Sequence, residues 1–464
     1  MYFAAMITFH DVTISSRGQI RLKDFNLIIE DNHHYIIRGS NGSGKTTLLE
    51  SIAGIVHATS GTVEYSFIGS DLTWDERFYL RKQHIHYIPT HALQSTLSTH
   101  PEFFYQQRYY TIGDVQLPTV QDFLGAESKF DASTFPASFN IGQLLPLELT
   151  RLSNGQLKKV LIIRALMKNI PKVLLLDYPL DGLDSQSRQD LCDFIDHMAK
   201  SFSIQVIMTD HGDQLPKIID RQIVLDKFCV IDNSAYEVEP ERAEPTIPKN
   251  QQTALNNDKP IVEMQGVRIK YGKHTIIDNL NWKINEGERW ALTGRNGSGK
   301  TTIFSLIYAD HPMAYSEKVF LFGKRRGSGE SMWDIKKRIT YLGPEQLHYF
   351  NAATVSKTAR QFLLEEKPSS IEVLLDHFNA HTFIDLPVKD LSSGQLQLLL
   401  LMKSFIAPKD LLLLDEPFQF LDNESKTKLN SFLSSQLKAG VTMVMITHDI
   451  RDVEHWTQFR LHLQ

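Results

Sequence analysis

Two kinds of hydrophobic run recur along this chain. Near the start of each half, apolar and polar residues alternate, as at Val262, Met264, Val267 and Ile269, the period-two pattern of a half-buried strand. Elsewhere four successive positions are apolar, as in Val173-Leu-Leu-Leu176 and Leu411-Leu-Leu-Leu414. Runs of that kind suit strands of a parallel sheet covered on both faces. A glycine-rich segment twice separates a predicted strand from a predicted helix. Tyr35-Ile36-Ile37 precedes one such segment and Thr46-Thr47-Leu48-Leu49 follows it; Trp290-Ala291-Leu292 and Thr301-Thr302-Ile303-Phe304 flank the other. The pattern predicts an α/β fold.

These segments belong to a long internal repeat. Gly39-SNGSGKTT recurs as Gly294-RNGSGKTT, Leu152-SNGQ as Leu391-SSGQ, and Val173-LLLDYP as Leu411-LLLDEP. Asp210-His211 has its counterpart in Thr447-His448. Motif order is the same in both halves, and the first half carries a longer segment between its first two motifs. A chain of 464 residues exceeds what one core supports. The expected division is residues 1–236 and 261–464, joined by a linker at 237–260 that is rich in Pro, Glu, Asn and Gln and poor in large apolar residues.

Composition alters this picture little. Hydrophobic residues make up 42% and charged residues 22%, as in ordinary globular chains. A net charge of -5 argues against a protein held to nucleic acid by bulk positive charge. Cys192 and Cys229, the two cysteines, form no CxxC pair and suggest neither a disulfide framework nor a zinc site. The opening MYFAAMITFHDV reads as a first strand rather than a signal peptide. No window approaches the run of about 18 apolar residues that a membrane span needs. A cytoplasmic protein is expected, with any place at the inner face of the membrane reached through a partner.

The repeated motifs carry the chemistry. G-x-x-x-x-G-K-[ST] sets backbone amides around phosphate oxygens at a helix start, and glycines permit the close approach. The candidate nucleotide-binding residues are Gly39, Ser40, Asn41, Gly42, Ser43, Gly44, Lys45, Thr46 and Thr47. Their second-half counterparts are Gly294, Arg295, Asn296, Gly297, Ser298, Gly299, Lys300, Thr301 and Thr302. Lys45 and Lys300 are expected to bridge the β- and γ-phosphates of ATP, and Thr46 and Thr301 to ligate Mg²⁺. Asp177 and Asp415, at the ends of buried strands, would hold the same hydrated metal.

The LSxGQ pentapeptides at Leu152 and Leu391 separate this chain from other phosphate-loop proteins. With them it resembles the ATP-binding cassette (ABC) ATPases over nearly its whole length. That resemblance implies two P-loop nucleotide-binding domains in tandem, each a mixed-sheet core with a helical subdomain. It also implies that the domains face each other head to tail. ATP would then lie between the phosphate loop of one domain and Ser153 and Gly155, or Ser392 and Gly394, of the other. The third position of the pentapeptide is Asn154 or Ser393, where the family usually has glycine.

The same resemblance makes the two sites unequal. Glu416, after Asp415, matches the family's catalytic carboxylate; the residue after Asp177 is Tyr178. A phenol with a reference pKa near 10 keeps its proton at neutral pH and cannot serve as that base. His448 and His211 match the family's γ-phosphate histidine. Tyr271 matches its adenine-stacking aromatic, where the first half has Ser16. The family's glutamine after the following strand is replaced by Thr90 and Pro344, with Gln346 close but offset. The expected hydrolytic site joins Lys300, Thr301, Asp415, Glu416 and His448 to Ser153 and Gly155. The other site, with Lys45, Asp177, Tyr178, Ser392 and Gly394, should hold ATP with little turnover.

Some features carry less. The histidines and aromatics from His84 to Tyr110, with His86, His91, Phe103, Phe104 and Tyr105 among them, lack metal-ligand spacing and read as packing or a partner-facing surface. A nucleophile-elbow reading of the GSG triplets fails for want of a triad. Gly323-KRRGSGESMWDIKKR reads as a solvated basic loop followed by a helix. With Asp310-His-Pro312, Tyr315-Ser316 and Trp333-Asp-Ile-Lys-Lys337, it is similar to a stretch of the molybdate-operon (ModF-type) tandem ABC ATPases, also described as photorepair-type. That resemblance implies the ATP-binding component of a transport system served by a separate membrane permease, with molybdate as the suggested cargo. The alternatives are a non-transport ABC protein acting on ribosomes or nucleic acid, which the short proline-containing linker disfavours, and a slow ATP-driven binding switch.

Overall fold

A computed structural model describes residues 5–16, 19–69, 71–90, 119–125, 141–149, 152–212, 214–236, 259–271, 274–295, 297–343, 355–366, 371–406, 409–436, 441–447 and 456–463. The chain divides into two compact units, Met1–Glu241 and Arg242–Gln464. The linker expected at 237–260 lies almost wholly outside the described residues.

The first unit opens with an antiparallel hairpin, β1 (Ala5–Ser16) and β2 (Gln19–Glu30). The nucleotide core follows: β3 (Tyr35–Gly39), α1 (Lys45–Ala53), β4 (Ser60–Tyr65), α2 (Trp74–His84) and β5 (Ile85–Ile88). Two short helices, α3 (Val120–Gly125) and α4 (Ile141–Leu144), precede the long α5 (Asn154–Lys168). The unit ends with β6 (Val173–Leu176), α6 (Ser185–Phe202), β7 (Gln205–Thr209), β8 (Arg221–Asp226) and β9 (Cys229–Ala235).

The second unit repeats this plan. Its hairpin is β10 (Pro260–Tyr271) and β11 (His274–Asn285), and β12 (Arg289–Gly294) leads into α7 (Lys300–Ile307). Then come β13 (Val319–Leu321), β14 (Lys324–Arg325), α8 (Met332–Lys336) and β15 (Ile339–Leu342). Helices α9 (Ala359–Leu364) and α10 (Glu372–Phe378) precede the long α11 (Ser393–Ile406). The unit closes with β16 (Leu411–Asp415), α12 (Asn423–Ser431), β17 (Thr442–Ile446) and β18 (Phe459–Leu463).

Each unit has a core sheet and a smaller antiparallel sheet. The core orders are β5-β6-β7-β3-β8-β9, parallel apart from β9, and β15-β16-β17-β12-β18, all parallel. In both cores the strand before the phosphate loop pairs with the strand that follows the one leading to Asp177 or Asp415, which brings the two motifs to the same sheet end. The all-apolar runs explain themselves in this setting. Leu412 and Leu414 face one hydrophobic core of the second unit while Leu411 and Leu413 face the other. Leu174 and Leu176 divide from Val173 and Leu175 in the same way. Sheets covered on both faces need apolar residues at every position.

The basic stretch at 323–338 differs from the expected solvated loop. Phe322 and Gly323 turn with φ of 51° and 81°, so that Lys324–Arg325 pairs back on β13. Arg326 is then only 2% exposed, lies over the Tyr315 ring and donates to its hydroxyl at 3.2 Å. Lys336 reaches back to Asp310. The stretch is therefore a hairpin and helix braced by its own charges, with Trp333 exposed. Among the described residues no helix is long and apolar enough to cross a membrane.

Candidate functional site

Both phosphate loops end where their helices begin. Gly44 and Gly299 occupy the N-cap positions of α1 and α7 with φ of 105° and 93°, a conformation that side chains with a Cβ resist. At the other end of each loop, a Cβ on Gly39 would meet the Leu225 carbonyl at 2.3 Å, and one on Gly294 the Leu463 carbonyl at 2.6 Å. The lysines are buried over these loops. Lys45 Nζ donates to the carbonyls of Gly39 and Ser40 at 2.7 Å each, and Lys300 Nζ to Gly294 and Arg295 at 2.8 and 2.9 Å. Each loop thus presents helix-terminal amides and a buried ammonium to one point, an arrangement suited to phosphate.

The predicted metal ligands come together in both units. Thr46 Oγ1 lies 3.3 and 3.1 Å from the two carboxylate oxygens of Asp177, and Thr301 Oγ1 lies 3.3 Å from Asp415 Oδ2. Both aspartates are buried. A hydroxyl and a carboxylate are hard oxygen donors, the set that Mg²⁺ prefers alongside phosphate and water.

In the first unit three further groups surround this aspartate. Thr209 Oγ1 donates to Asp177 Oδ1 at 2.8 Å and accepts from the Tyr178 amide at 2.8 Å. Thr90, at the position of the family's glutamine, donates to Asp177 Oδ2 at 2.9 Å. Glu50, one turn beyond Thr46, is pushed above the usual carboxylate range by burial and by Asp177. The Thr209 and Glu50 contacts escape motif reading. Thr209 reaches Asp177 because β6 and β7 run side by side in register.

The residues after the aspartates share a backbone and differ in chemistry. Tyr178 has φ of 49° and Glu416 φ of 51°, a left-handed conformation uncommon outside glycine and costly enough to mark functional positions. Both residues are partly exposed. The Tyr178 ring packs 4.8 Å from the His211 ring, and Lys45 Nζ lies 5.9 Å from its centroid. In the second unit the Glu416 amide donates to the Ile446 carbonyl at 3.0 Å.

Each LSxGQ pentapeptide starts a helix through a capping box. Ser153 Oγ accepts from the Gln156 amide at 3.2 Å while Gln156 Oε1 accepts from the Ser153 amide at 2.9 Å. Ser392 and Gln395 repeat this at 3.3 and 3.0 Å. The final glutamine of the motif is thus a capping residue. A serine hydroxyl that accepts from its helix still has a proton to donate outward. A Cβ added to Gly155 would come within 3.3 Å of Ser187 Cβ on α6.

Other expected residues fall elsewhere. His448, Asn296, Pro344 and Gln346 lie outside the described residues, as does most of the histidine-rich segment beyond Thr90. Tyr271 and Ser16 hold equivalent places, each at the end of the first hairpin strand and paired with the first residue of the second. His86 pairs with Asn169 at 3.0 Å.

Two phosphate loops, each with a threonine–aspartate pair and a serine-capped LSxGQ helix on a doubly covered sheet, define a tandem nucleotide-binding ATPase of the cassette class. The chain belongs to the ABC transporter family, whose family model matches residues 22–181 and again 277–419. It is 29% identical over 485 residues to the ABC transporter ATP-binding protein ModF of Escherichia coli, covering 97% of this chain and 94% of that one. It is 27% identical to an uncharacterized ABC transporter ATP-binding protein of Schizosaccharomyces pombe, covering 99% and 98%. In fold it is similar to an archaeal ribosome recycling factor, aABCE1, solved with the stalk protein aP1. That likeness has a TM-score of 0.57 at 17% identity and covers 97% of this chain and 87% of the other. The protein is an ATP-binding tandem ABC ATPase.

Proposed function

We propose that the protein hydrolyses ATP mainly at one of two composite sites. By the family resemblance, Lys300, Thr301, Asp415, Glu416 and His448 would supply one part of the hydrolytic site, and Ser153 and Gly155 of the other half the remaining part. The remaining site pairs Lys45, Thr46, Asp177 and Tyr178 with Ser392 and Gly394 and retains ATP. The observation that carries this reading is the pair of left-handed residues, Tyr178 at φ 49° and Glu416 at φ 51°. One backbone geometry presents a carboxylate in one unit and a phenol in the other.

The steps follow from these groups. Loop amides and Lys300 hold the β- and γ-phosphates; Thr301 and Asp415 would hold Mg²⁺, which would supply neutralisation of phosphate charge. Glu416 orients the attacking water and accepts its proton, and His448 steadies the γ-phosphate. In the other site Tyr178 has no carboxylate to offer, and its ring stands against His211.

The family membership and the likeness to ModF support a role as the ATP-binding component of a transport system. A separate membrane permease is then the partner, and molybdate is the cargo suggested by the resemblance of residues 310–337. Glu416→Gln tests the chemistry: steady-state hydrolysis should fall by about 100-fold or more, and wild-type turnover would overturn the assignment. Affinity capture of that variant with ATP tests the partner. A polytopic membrane protein is expected, and co-sedimentation with ribosomes in its place would overturn the transport role.

A further inference from the structure

Behind Tyr178 the first unit carries a set of charges that the second unit replaces. Arg188 on α6 is 19% exposed and Asp210, just before His211, is 2% exposed. The guanidinium donates to Asp210 Oδ1 at 3.2 Å, to the Leu180 carbonyl at 3.3 Å and to the Gln214 carbonyl at 3.4 Å. Asp210 Oδ1 also accepts from the Gly212 amide at 2.6 Å, and Arg38 of β3 donates to the Gly212 carbonyl at 3.3 Å. The turn 210–212 is therefore gripped from two sides. A Cβ on Gly212 would come within 2.4 Å of the guanidinium. One cation thus ties the turn after Tyr178 to the turn that carries His211. Burial opposes the charge of Arg188, and Asp210 and Asp181 more than offset it.

The second unit has no such pair at the matching positions. Arg188 lies four residues after the helix-capping Asp184, and the residue four after the capping Asp422 is Lys426. Thr447 stands where Asp210 does, and Ile446 where Thr209 does. Tyr178, Thr209, Asp210 and Arg188 thus differ together from Glu416, Ile446, Thr447 and Lys426.

We propose that Arg188 and Asp210 are positioning residues that clamp His211 against Tyr178 and hold the first site in its ATP-retaining form. Loss of the carboxylate is then only part of why this site is slow. The proposal rests on the unequal-site reading above. Its consequence is that Tyr178→Glu alone does not restore hydrolysis, because the histidine turn stays fixed by a separate ion pair.

The experiment uses the full chain with Glu416→Gln, in which turnover at the second site is silenced, and follows single-turnover release of phosphate. Adding Tyr178→Glu should raise the rate by less than about fivefold. Adding Tyr178→Glu, Arg188→Lys and Asp210→Thr together should raise it by about 50-fold or more. A full recovery with Tyr178→Glu alone, or no further gain from the added pair, overturns the clamp. Wild-type turnover by Glu416→Gln alone would instead sink the unequal-site reading itself. Should the combined variant melt early, retention of radiolabelled ATP by the Glu416→Gln chain decides the matter. Asp210→Thr should shorten it about tenfold, whereas Asp210→Asn, which keeps the Oδ1 acceptor, should shorten it by less than about threefold. Equal effects of the two substitutions would show a structural role only.

Discussion

Tyr178 and Glu416 leave their strands with nearly the same φ, 49° and 51°, each after a buried aspartate that faces a phosphate-loop threonine. Around Tyr178 stand Thr209, His211 and the Arg188–Asp210 pair; at Glu416 the amide donates to the Ile446 carbonyl. On the proposed reading, two copies of one scaffold keep the machinery that grips phosphate and metal and diverge in the machinery that handles water. Binding and turnover draw on separable groups: gripping phosphate needs amides, an ammonium and hard oxygens, whereas cleaving it needs a base as well.

The comparison can be broken or sharpened by substitution. The largest effect is expected from the lysines. Lys300→Ala should lower steady-state hydrolysis by about 100-fold or more. Lys45→Ala should leave more of the rate and mainly shorten retention of one ATP; equal losses would make the sites equivalent. A smaller contrast separates the capping serines. Ser153→Ala should lower hydrolysis about tenfold, through a lost phosphate contact and a weakened cap worth about 1 kcal/mol. Ser392→Ala should change the rate by less than about threefold. Steady-state phosphate release checks both. Tyr178→Phe should alter turnover by less than about twofold, since it keeps the ring that packs 4.8 Å from His211; a tenfold loss would give the phenol a chemical role.

The smallest effect concerns Lys158, whose ammonium donates to the Asp181 carbonyl at 2.6 Å where the second unit uses Gln397 on the Pro417 carbonyl at 3.0 Å. Burial lowers the pKa of Lys158 from 10.5 to about 8, against the pull of Asp181 and Asp210. Between those values the unfolded chain binds a proton that the folded chain lacks, so stability rises with pH across that window. Below it both states are protonated and the cost of burying the charge is constant. Urea unfolding at about pH 7.5 and 9.5 should show wild type gaining about 1 kcal/mol more than Lys158→Gln. The same pH response in both would remove Lys158 as its source.

Much of this was legible in the sequence because the decisive groups sit in contiguous motifs. A phosphate loop, a serine-capped helix start and an aspartate after an apolar strand each hold their chemistry within a few residues. The groups proposed to make the sites unequal were less visible. Thr209 meets Asp177 only through the register of β6 and β7, and Arg188 meets Asp210 across a helix and a turn 22 residues apart. Tyr178 was visible as a departure from the family, but the packing of its ring against His211 was not. Thr90, read as a mere substitute for glutamine, returns as a hydrogen-bond donor to Asp177. The basic hairpin misled in the opposite direction. Three successive cations suggested a solvated loop, yet Gly323 allowed the turn that buries Arg326.

The most direct test is the nucleotide that stays with the wild-type chain after turnover. The protein is incubated with radiolabelled ATP and magnesium, desalted rapidly, quenched and resolved into ATP and ADP. The account predicts close to one intact ATP per chain, absent from Lys45→Ala and retained by Lys300→Ala. Retained nucleotide that is ADP at both sites, or ATP that survives Lys45→Ala, would contradict it.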